Sequence, residues 1–181
     1  MQKALVFDRG SHMPASAMGA LSVPRRGIVV HGTDGVDSLD WLQREERDPS
    51  KKSSSDWLIA RNGNLYKLTP RGYYAFHSGL ARWNGYQEFD GSINRGFIGI
   101  ELEQTPTVDG KVTDLQYISL AALVREAMRS LQIDPRNVAG HWEVCIPVGR
   151  KTDPWLFSWS TMWREVAAPS VNAPDVQGWV S

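Results

Sequence analysis

Two histidines and one aspartate are the residues whose types and spacing best suit hydrolytic chemistry. His31 ends a short apolar run, while His141 and Asp153 frame the segment GHWEVCIPVGRKTDP at positions 140–154. Two neutral imidazoles and one carboxylate, with a fourth position left for water, are the ligand set of a hydrolytic zinc site. Lys151, two residues before Asp153, could stabilise a developing oxyanion. The pattern therefore predicts a zinc-dependent hydrolase.

Other motifs and residues bear on this interpretation. Neither His31 nor His141 lies in a His-Glu-x-x-His motif, which disfavours a thermolysin-type protease. The single cysteine, Cys145, excludes an internal disulfide framework. Because Cys145 lies inside the 140–154 segment, it is either a further metal ligand or a small buried residue.

Length and composition narrow the class of protein. The 181 residues suit one domain with an ordinary core. The 20 basic and 20 acidic residues cancel, which indicates no nucleic acid partner and no anionic membrane surface.

No apolar run approaches the roughly 20 residues that span a bilayer, so we expect no membrane segment. Asp8 and Arg9 interrupt the N-terminal apolar residues, which predicts no signal peptide and a cytoplasmic location unless another factor releases the protein. The oligomeric state is not predicted.

Strand signals surround the candidate ligands. The β-branched run 28–30 predicts a buried strand that ends at His31. Asn62-Gly63, between the runs 57–60 and 65–69, predicts a hairpin. The segment 97–103 alternates, which places Ile98, Ile100 and Leu102 on one face of a strand and Gly99, Glu101 and Glu103 on the other.

Helices are expected between these strands. They cover 37–46, about 114–131 and 158–167, and Thr113 with Gln116 forms a capping box before the longest one. The segment 47–55 is predicted to be an exposed loop, and 169–181 a C-terminal tail or linker after a domain at 1–168. The pattern indicates an α/β fold with a single mixed β-sheet flanked by helices and the zinc site at one edge of the sheet.

Five segments, in this order, carry a resemblance to a known family. They are IVVHGT at 28–33, WLIARNG at 57–63, AFHSG at 75–79, FIGIELE at 97–103 and the 140–154 segment. They resemble the type 2 N-acetylmuramoyl-L-alanine amidases, which include bacteriophage lysozyme-like amidases, the bacterial anhydromuropeptide-recycling amidase and the peptidoglycan recognition proteins. The resemblance covers roughly residues 5 to 166. It implies hydrolysis of the amide bond between N-acetylmuramic acid and L-alanine, with peptidoglycan or a muropeptide as substrate.

The resemblance also implies roles for single residues. His31, His141 and Asp153 match the zinc ligands, Glu101 the general base, and Lys151 the lysine that stabilises the oxyanion. Weaker candidates for the base are Glu103, Glu143 and Asp34. Cys145 matches no ligand position, which favours its interpretation as a buried residue.

Substrate contacts are expected outside this set. His77 matches a family histidine beside the cleft and is expected to contact substrate or support the site without binding metal. The tryptophans at 155, 159 and 163 recur every four residues, which is more typical of a core, although Trp155 could contact glycan. Two departures from the family stand out: neither Ser55 nor Asp56 is the usual Tyr or His, and Trp155 replaces the usual Gly.

Several functions fit this pattern. A phage endolysin is preferred, and a cytoplasmic anhydromuropeptide-recycling amidase is the alternative. A non-catalytic recognition module is disfavoured because Asp153, the third ligand, is present. A zinc peptidase that acts on the stem peptide is also compatible with the ligands.

Overall fold

The computed structural model describes residues 4–10, 15–46, 53–87, 92–107 and 109–180. The strands are β1 (Val6–Asp8), β2 (Met18–Ala20), β3 (Gly27–Gly32), β4 (Trp57–Ile59), β5 (Leu65–Lys67), β6 (Tyr73–Ala75), β7 (Arg82–Trp83), β8 (Tyr86–Gln87), β9 (Phe97–Leu102) and β10 (Val138–Gly140). The helices are α1 (Ser38–Glu46), α2 (Ser92–Gly96), α3 (Asp114–Ser130), α4 (His141–Val144) and α5 (Trp159–Ala167).

Six strands form the main sheet, in the order β1-β5-β4-β9-β3-β10. All neighbours are parallel except β4 and β5, which form the antiparallel hairpin predicted from Asn62-Gly63. Gly63 takes φ +84° in the turn, a conformation that glycine adopts without strain. Two further pairs, β2 with β6 and β7 with β8, make small antiparallel sheets. The mixed α/β sheet is therefore confirmed.

Both faces of the main sheet are covered. Ile28, Val30, Ile98 and Ile100 lie in the larger core cluster together with Leu120 of α3. On the opposite face, one cluster contains Val29, Phe97, Ala139 and Val144 of α4, and another packs Leu58 against Leu42 of α1. Burial on both faces explains why β3 carries apolar residues at three consecutive positions, 28–30.

The capping box of α3 is present and also connects the helix to the sheet. The Thr113 hydroxyl accepts from the N–H of Gln116 at 3.2 Å, and the Gln116 carboxamide oxygen accepts from the N–H of Thr113 at 3.0 Å. The amide nitrogen of Gln116 donates to the carbonyls of Ile59 and Glu103, both at 3.0 Å. This helix start is therefore held at the carboxyl ends of β4 and β9.

Part of the predicted exposed loop at 47–55 is wrong. Residues 47–52 lie outside the described residues, as does His12, but Ser54 and Ser55 are buried. The Ser55 hydroxyl donates to the carbonyl of Gly99 at 3.0 Å, so it satisfies a strand carbonyl instead of facing water. A run of serines is typical of an exposed loop. The sequence does not reveal which of the serine hydroxyls donate to buried backbone carbonyls.

The segment after residue 168 lies against the domain. Val176 is buried, and Trp179 and Val180 pack on the larger core cluster. The N–H of Gly178 donates to Oε1 of Glu126 in α3 at 3.3 Å. The domain boundary at residue 168 stays a prediction. Within the described part of the chain, no helix is long and apolar enough to cross a membrane.

Candidate metal centre and cleft

Strand register brings the predicted site residues together. His31 on β3 is the direct neighbour of Glu101 on β9. On the other side of β3, Gly140 of β10 pairs with Val30, so His141 follows at the level of His31. Parallel strands present their carboxyl ends at the same edge of a sheet, which is where ligands bind in such folds. Distant parts of the sequence thus meet at one point.

The three predicted ligands face one another at metal-binding distances. Nδ1 of His31 lies 3.0 Å from Nδ1 of His141, and Oδ2 of Asp153 lies 3.7 and 3.1 Å from these two atoms. Ligand atoms bound tetrahedrally at about 2.0–2.2 Å from zinc lie about 3.3–3.6 Å apart. The separations bracket that range. All three residues are buried, and among the described residues they form a group that could hold a metal ion.

Hydrogen bonds on the far sides of the rings determine which nitrogens carry protons. Nε2 of His141 lies 3.2 Å from the carbonyl of Ser78, which only accepts, so this nitrogen donates. Nε2 of His77 lies 3.2 Å from the carbonyl of Phe97 and donates for the same reason. Burial lowers the pKa of His77 to about 4, so the ring is neutral and its Nδ1 carries no proton.

The same reasoning extends to His31. Its Nε2 lies 3.0 Å from the unprotonated Nδ1 of His77 and must therefore donate to it. Burial, together with the neighbouring imidazoles of His141 and His77, lowers the pKa of His31 well below its usual range, so its Nδ1 is unprotonated. Nδ1 of His31, Nδ1 of His141 and the carboxylate of Asp153 then converge on the same point. This set of two imidazole nitrogens and one carboxylate oxygen fits zinc.

The carboxylate of Asp153 is also held in its charged form. Burial alone would raise the pKa of Asp153, but its hydrogen bond and charge interaction with His141 bring the pKa below the usual value. The N–H of Gly32 donates to Oδ2 at 3.2 Å and acts in the same direction. The carboxylate of Asp153 therefore faces the two imidazoles as an anion.

His77 lies next to His31 and lines the cleft with only a small exposed surface. It is 8% exposed, and both ring nitrogens have protein partners. The ring occupies the space above Gly99, where an added Cβ would come within 2.4 Å of Cγ of His77. Of the two roles expected for His77, this position suits support of the site better than contact with substrate.

Asn94 and Ser78 support the site but were not recognised in the sequence. Oδ1 of Asn94 accepts from the backbone N–H groups of His77 and Ser78 at 2.9 and 3.0 Å and from the Ser78 hydroxyl at 2.9 Å. The Ser78 carbonyl orients His141 in turn. An isolated Asn in a short helix has no sequence signal that would reveal this role.

Glu101 projects into the cleft beside the ligands. Burial, and secondarily the negative charge of Asp153, raise the pKa of Glu101 to about 8 against the opposing charge of Lys151. Its Oε2 is buried and has no hydrogen-bonding partner among the described residues. A buried carboxyl group with a raised pKa and a free oxygen is suited to accept and return a proton.

The weaker candidates for the base have other positions. Glu103 accepts from the N–H groups of Ser38 and Arg61, both at 3.0 Å, so its carboxylate connects loops. Oε2 of Glu143 accepts from the N–H of Gly140 at 2.7 Å, at the start of α4. Asp34 lines the cleft away from these strands, and Cys145 is buried outside the metal-binding group.

Asp56, at one of the two departures from the family, has a structural environment. Its Oδ1 accepts from Nη2 of Arg25 at 2.8 Å, and its Oδ2 accepts from the N–H of Gly99 at 2.9 Å. Both members of the ion pair are buried. Asp56 therefore holds the backbone of β9 at Gly99 and is not among the residues that line the cleft.

The cleft above the site has a volume of about 1050 Å³. Lys151 and Trp155 line it, as do residues of α1 and of the loop before α1. All five predicted metal and catalytic residues lie on its wall. The sequence-predicted set is thus brought together in one accessible cavity.

Comparison with known proteins identifies the family. The family model for N-acetylmuramoyl-L-alanine amidase matches residues 22–155, a range that contains all of these residues. The chain belongs to this amidase family. The 1,6-anhydro-N-acetylmuramyl-L-alanine amidase AmpD of Salmonella typhimurium strain LT2 is 36% identical over 118 residues, which cover 65% of this chain and 59% of the relative. The chain thus matches about three fifths of the length of that curated amidase.

Solved structures of amidases have the same fold. A selenomethionine derivative of AmpD aligns with a TM-score of 0.71 at 24% identity, over 92% of this chain and 96% of that one. The N-acetylmuramyl-L-alanine amidase AmiD from E. coli, solved with the substrate anhydro-N-acetylmuramic acid-L-Ala-D-gamma-Glu-L-Lys, aligns with a TM-score of 0.64 at 26% identity. That alignment covers 81% of this chain and 60% of AmiD. The amidase fold therefore accounts for the architecture described above.

Proposed function

We propose that this protein is a zinc-dependent N-acetylmuramoyl-L-alanine amidase that hydrolyses the amide bond between N-acetylmuramic acid and L-alanine. The observation that supports this most directly is the convergence of the Nδ1 atoms of His31 and His141 and the Asp153 carboxylate beside the buried carboxyl of Glu101. His31, His141 and Asp153 would hold the zinc ion. Membership of the amidase family supplies the substrate class.

A bound zinc ion would supply polarisation of the carbonyl that is attacked and would acidify water at the site. Glu101 accepts a proton from the attacking water and returns it to the nitrogen of L-alanine as the C–N bond breaks. The ammonium group of Lys151, on the cleft wall, stabilises the negative charge on the carbonyl oxygen. The products are a free lactyl carboxylate and a stem peptide with a free amino terminus.

His77 and Trp155 have supporting roles in this proposal. His77 positions His31 by accepting its Nε2–H, and thus directs Nδ1 of His31 at the metal. Trp155, on the cleft wall, contacts substrate. Neither is assigned a step in the chemistry.

We infer that the substrate is polymeric cell wall, as for a phage endolysin that stays in the cytoplasm until its release. The cleft continues along the surface into a second groove with which it shares Lys151, Thr152 and Trp155, which suits a chain better than a single small molecule. The alternative is recycling of anhydromuropeptides. It is supported by the name of the AmpD relatives, which specifies 1,6-anhydro substrates.

Digestion assays test both the amidase activity and the preference for polymeric cell wall. Zinc-loaded protein is incubated with intact peptidoglycan and, separately, with anhydromuropeptides, with and without a chelator, and the products are analysed by mass spectrometry. We expect chelator-sensitive release of stem peptides that begin with L-alanine from intact glycan strands. Release from anhydromuropeptides alone would contradict the endolysin role. Cleavage within the stem peptide, or no cleavage by protein that contains zinc, would contradict the amidase assignment.

A further inference from the structure

Arg25 is a buried cation that lies outside the cleft. It precedes β3 and is 9% exposed. Its Nη1 donates to the carbonyls of Phe97 and Asn94 at 2.6 and 3.0 Å. Its Nη2 donates to Oδ1 of Asp56 at 2.8 Å and to the carbonyl of Tyr73 at 3.1 Å. One planar guanidinium thus holds α2, β6, β9 and the residue before β4 together, a geometry that the ammonium group of lysine cannot reproduce.

One route from Arg25 to the metal site passes through the carbonyl of Phe97. This oxygen also accepts from Nε2 of His77 at 3.2 Å, so the two lone pairs of one carbonyl hold the guanidinium and the imidazole. Nδ1 of His77 in turn accepts from Nε2 of His31 at 3.0 Å. A displaced Phe97 carbonyl would therefore change the direction in which His31 presents its Nδ1.

A second route passes through Asn94. Arg25 holds the backbone carbonyl of Asn94, and the side-chain Oδ1 of Asn94 accepts from the backbone N–H groups of His77 and Ser78 at 2.9 and 3.0 Å. The carbonyl of Ser78 lies 3.2 Å from Nε2 of His141 and orients that ring. Hydrogen bonds thus connect Arg25 to both imidazoles of the metal site.

Asp56, the ion-pair partner of Arg25, holds the backbone beneath the same ring. Its Oδ2 accepts from the N–H of Gly99 at 2.9 Å. The ring of His77 packs on Gly99, where an added Cβ would come within 2.4 Å of Cγ. The ion pair therefore fixes four backbone groups in direction, three carbonyls and one N–H. An apolar pair of similar size could fill this space but could not direct those groups.

We propose that Arg25 is a positioning residue for His31 and His141. It acts through the carbonyl of Phe97 and through Asn94, and it is not among the residues that line the cleft. The inference rests on the amidase function proposed above, which assigns the two histidines to zinc. Loss of the guanidinium leaves all three ligands present but directs their atoms less well, so zinc affinity falls while the fold persists.

Zinc affinity and the His31 tautomer test this role. Arg25→Ala is expected to bind zinc about tenfold more weakly, at the lower end of the range for lost ligand-orienting hydrogen bonds, because Arg25 lies one group further from the metal. Competition with a chromophoric chelator measures the affinity. Nitrogen-15 NMR of the metal-free protein should show a mixture of His31 tautomers in the variant.

Leu123→Ala is the matched control. Leu123 is buried in the core under α3, so the substitution lowers the stability of the fold without touching either route. Its zinc affinity and His31 tautomer should equal those of the wild type. A loss of affinity in Leu123→Ala as large as that in Arg25→Ala would show that general destabilisation, and not positioning, is the cause.

Chemical rescue separates the guanidinium group from the rest of the side chain. Arg25 lines a cavity of about 240 Å³ whose wall includes the exposed Arg71 and Tyr73, so a small cation can reach the space vacated in Arg25→Ala. Methylguanidinium at millimolar concentration should restore the zinc affinity of this variant. Methylammonium, which has the same charge but no planar set of donors, should not restore it. Equal effects of the two cations would contradict the proposal.

A double variant tests the route through Phe97. His77→Ala removes the link between the Phe97 carbonyl and His31. In that background, Arg25→Ala should weaken zinc binding by a smaller factor than in the wild type, because only the route through Asn94 remains. Equal factors in both backgrounds would show that Arg25 does not act through His77.

Arg25→Lys guards against misfolding of Arg25→Ala. It keeps a cation beside Asp56 but cannot direct hydrogen bonds at four acceptors, so it should fold and bind zinc several-fold more weakly than the wild type. A lysine variant with the zinc affinity and the His31 tautomer of the wild type would overturn the positioning role.

The outcomes separate this inference from the amidase proposal. An active amidase whose zinc affinity and His31 tautomer are the same in the wild type, Arg25→Ala and Arg25→Lys would overturn the positioning role alone. A wild-type protein that neither binds zinc nor cleaves the amide would contradict the amidase function. The NMR measurement on the metal-free protein would then still decide whether Arg25 orients His31.

Discussion

His31 donates a hydrogen bond from Nε2 to Nδ1 of His77 over 3.0 Å, and this contact determines which nitrogen of His31 faces the metal site. The direction of the bond follows from the next contact, in which Nε2 of His77 donates to the carbonyl of Phe97. His31, His77 and the carbonyl of Phe97 thus form a chain of hydrogen bonds in which each group donates to the next. Removal of a residue that hydrogen-bonds to a metal ligand commonly lowers metal affinity by about 10–100-fold.

His77→Ala is therefore expected to weaken zinc binding by about 10–100-fold, because Nε2 of His31 loses its acceptor and the ring is free to take the other tautomer. Affinity is measured by competition with a chromophoric chelator, and the tautomer of His31 by nitrogen-15 NMR of the metal-free protein. His77→Asn keeps an acceptor near the place of Nδ1 and should recover part of the affinity. Unchanged affinity and an unchanged tautomer in His77→Ala would show that the contact has no positioning role.

Metal binding and proton transfer should be separable by mutation. Asp153→Ala removes the anionic ligand and should abolish zinc retention, measured by elemental analysis after dialysis. Glu101→Gln should retain zinc but lose about 10²–10⁴-fold in kcat, since the amide cannot accept a proton. Glu101→Gln protein that purifies without metal would contradict this division of roles.

The stability of the metal-free protein should depend on the ionisation of Glu101. Burial raises its pKa to about 8 from 4.5, so the folded state holds a proton that the unfolded state releases between these values. Stability must then fall as pH rises through this window, by at most about 1.4 kcal/mol per pH unit.

Glu101→Gln cannot titrate at this position. In the presence of a chelator, the free energy of unfolding of Glu101→Gln should therefore equal that of the wild type near pH 4. It should exceed that of the wild type increasingly as the pH rises to 8. Urea unfolding at a series of pH values measures the difference in unfolding free energy between the two proteins. The contributions of His31 and His77 largely cancel in this difference, because both proteins contain these residues. A difference that does not vary with pH would contradict the raised pKa.

The buried pair of Arg25 and Asp56 should contribute strongly to stability. Asp56→Ala leaves the guanidinium of Arg25 buried without its anion and removes an acceptor from the N–H of Gly99, which should cost about 3–5 kcal/mol in urea unfolding. The control is Arg136→Ala, which removes an exposed ion pair with Asp134 and should change stability far less. Equal effects of the two variants would refute the structural role of Asp56.

The sequence by itself determined the local elements and the candidate metal ligands. The Asn62-Gly63 turn, the Thr113 capping box and the alternation in β9 depend on neighbouring residues, and all three are present in the structure. His31, His141 and Asp153 were recognisable because few residue types bind zinc and because their surrounding segments match a family in order.

Only the tertiary structure decided how those residues are supported. The pairing of His31 with Glu101 depends on strand register, and the roles of His77 and Asn94 depend on contacts between segments far apart in the chain. It also placed Trp155 beside the cleft, whereas Trp159 and Trp163 of α5 pack on the larger core cluster. A sequence pattern records which side chains are present, whereas hydrogen-bond direction, burial and the raised pKa of Glu101 arise only when folding brings those side chains together and removes water.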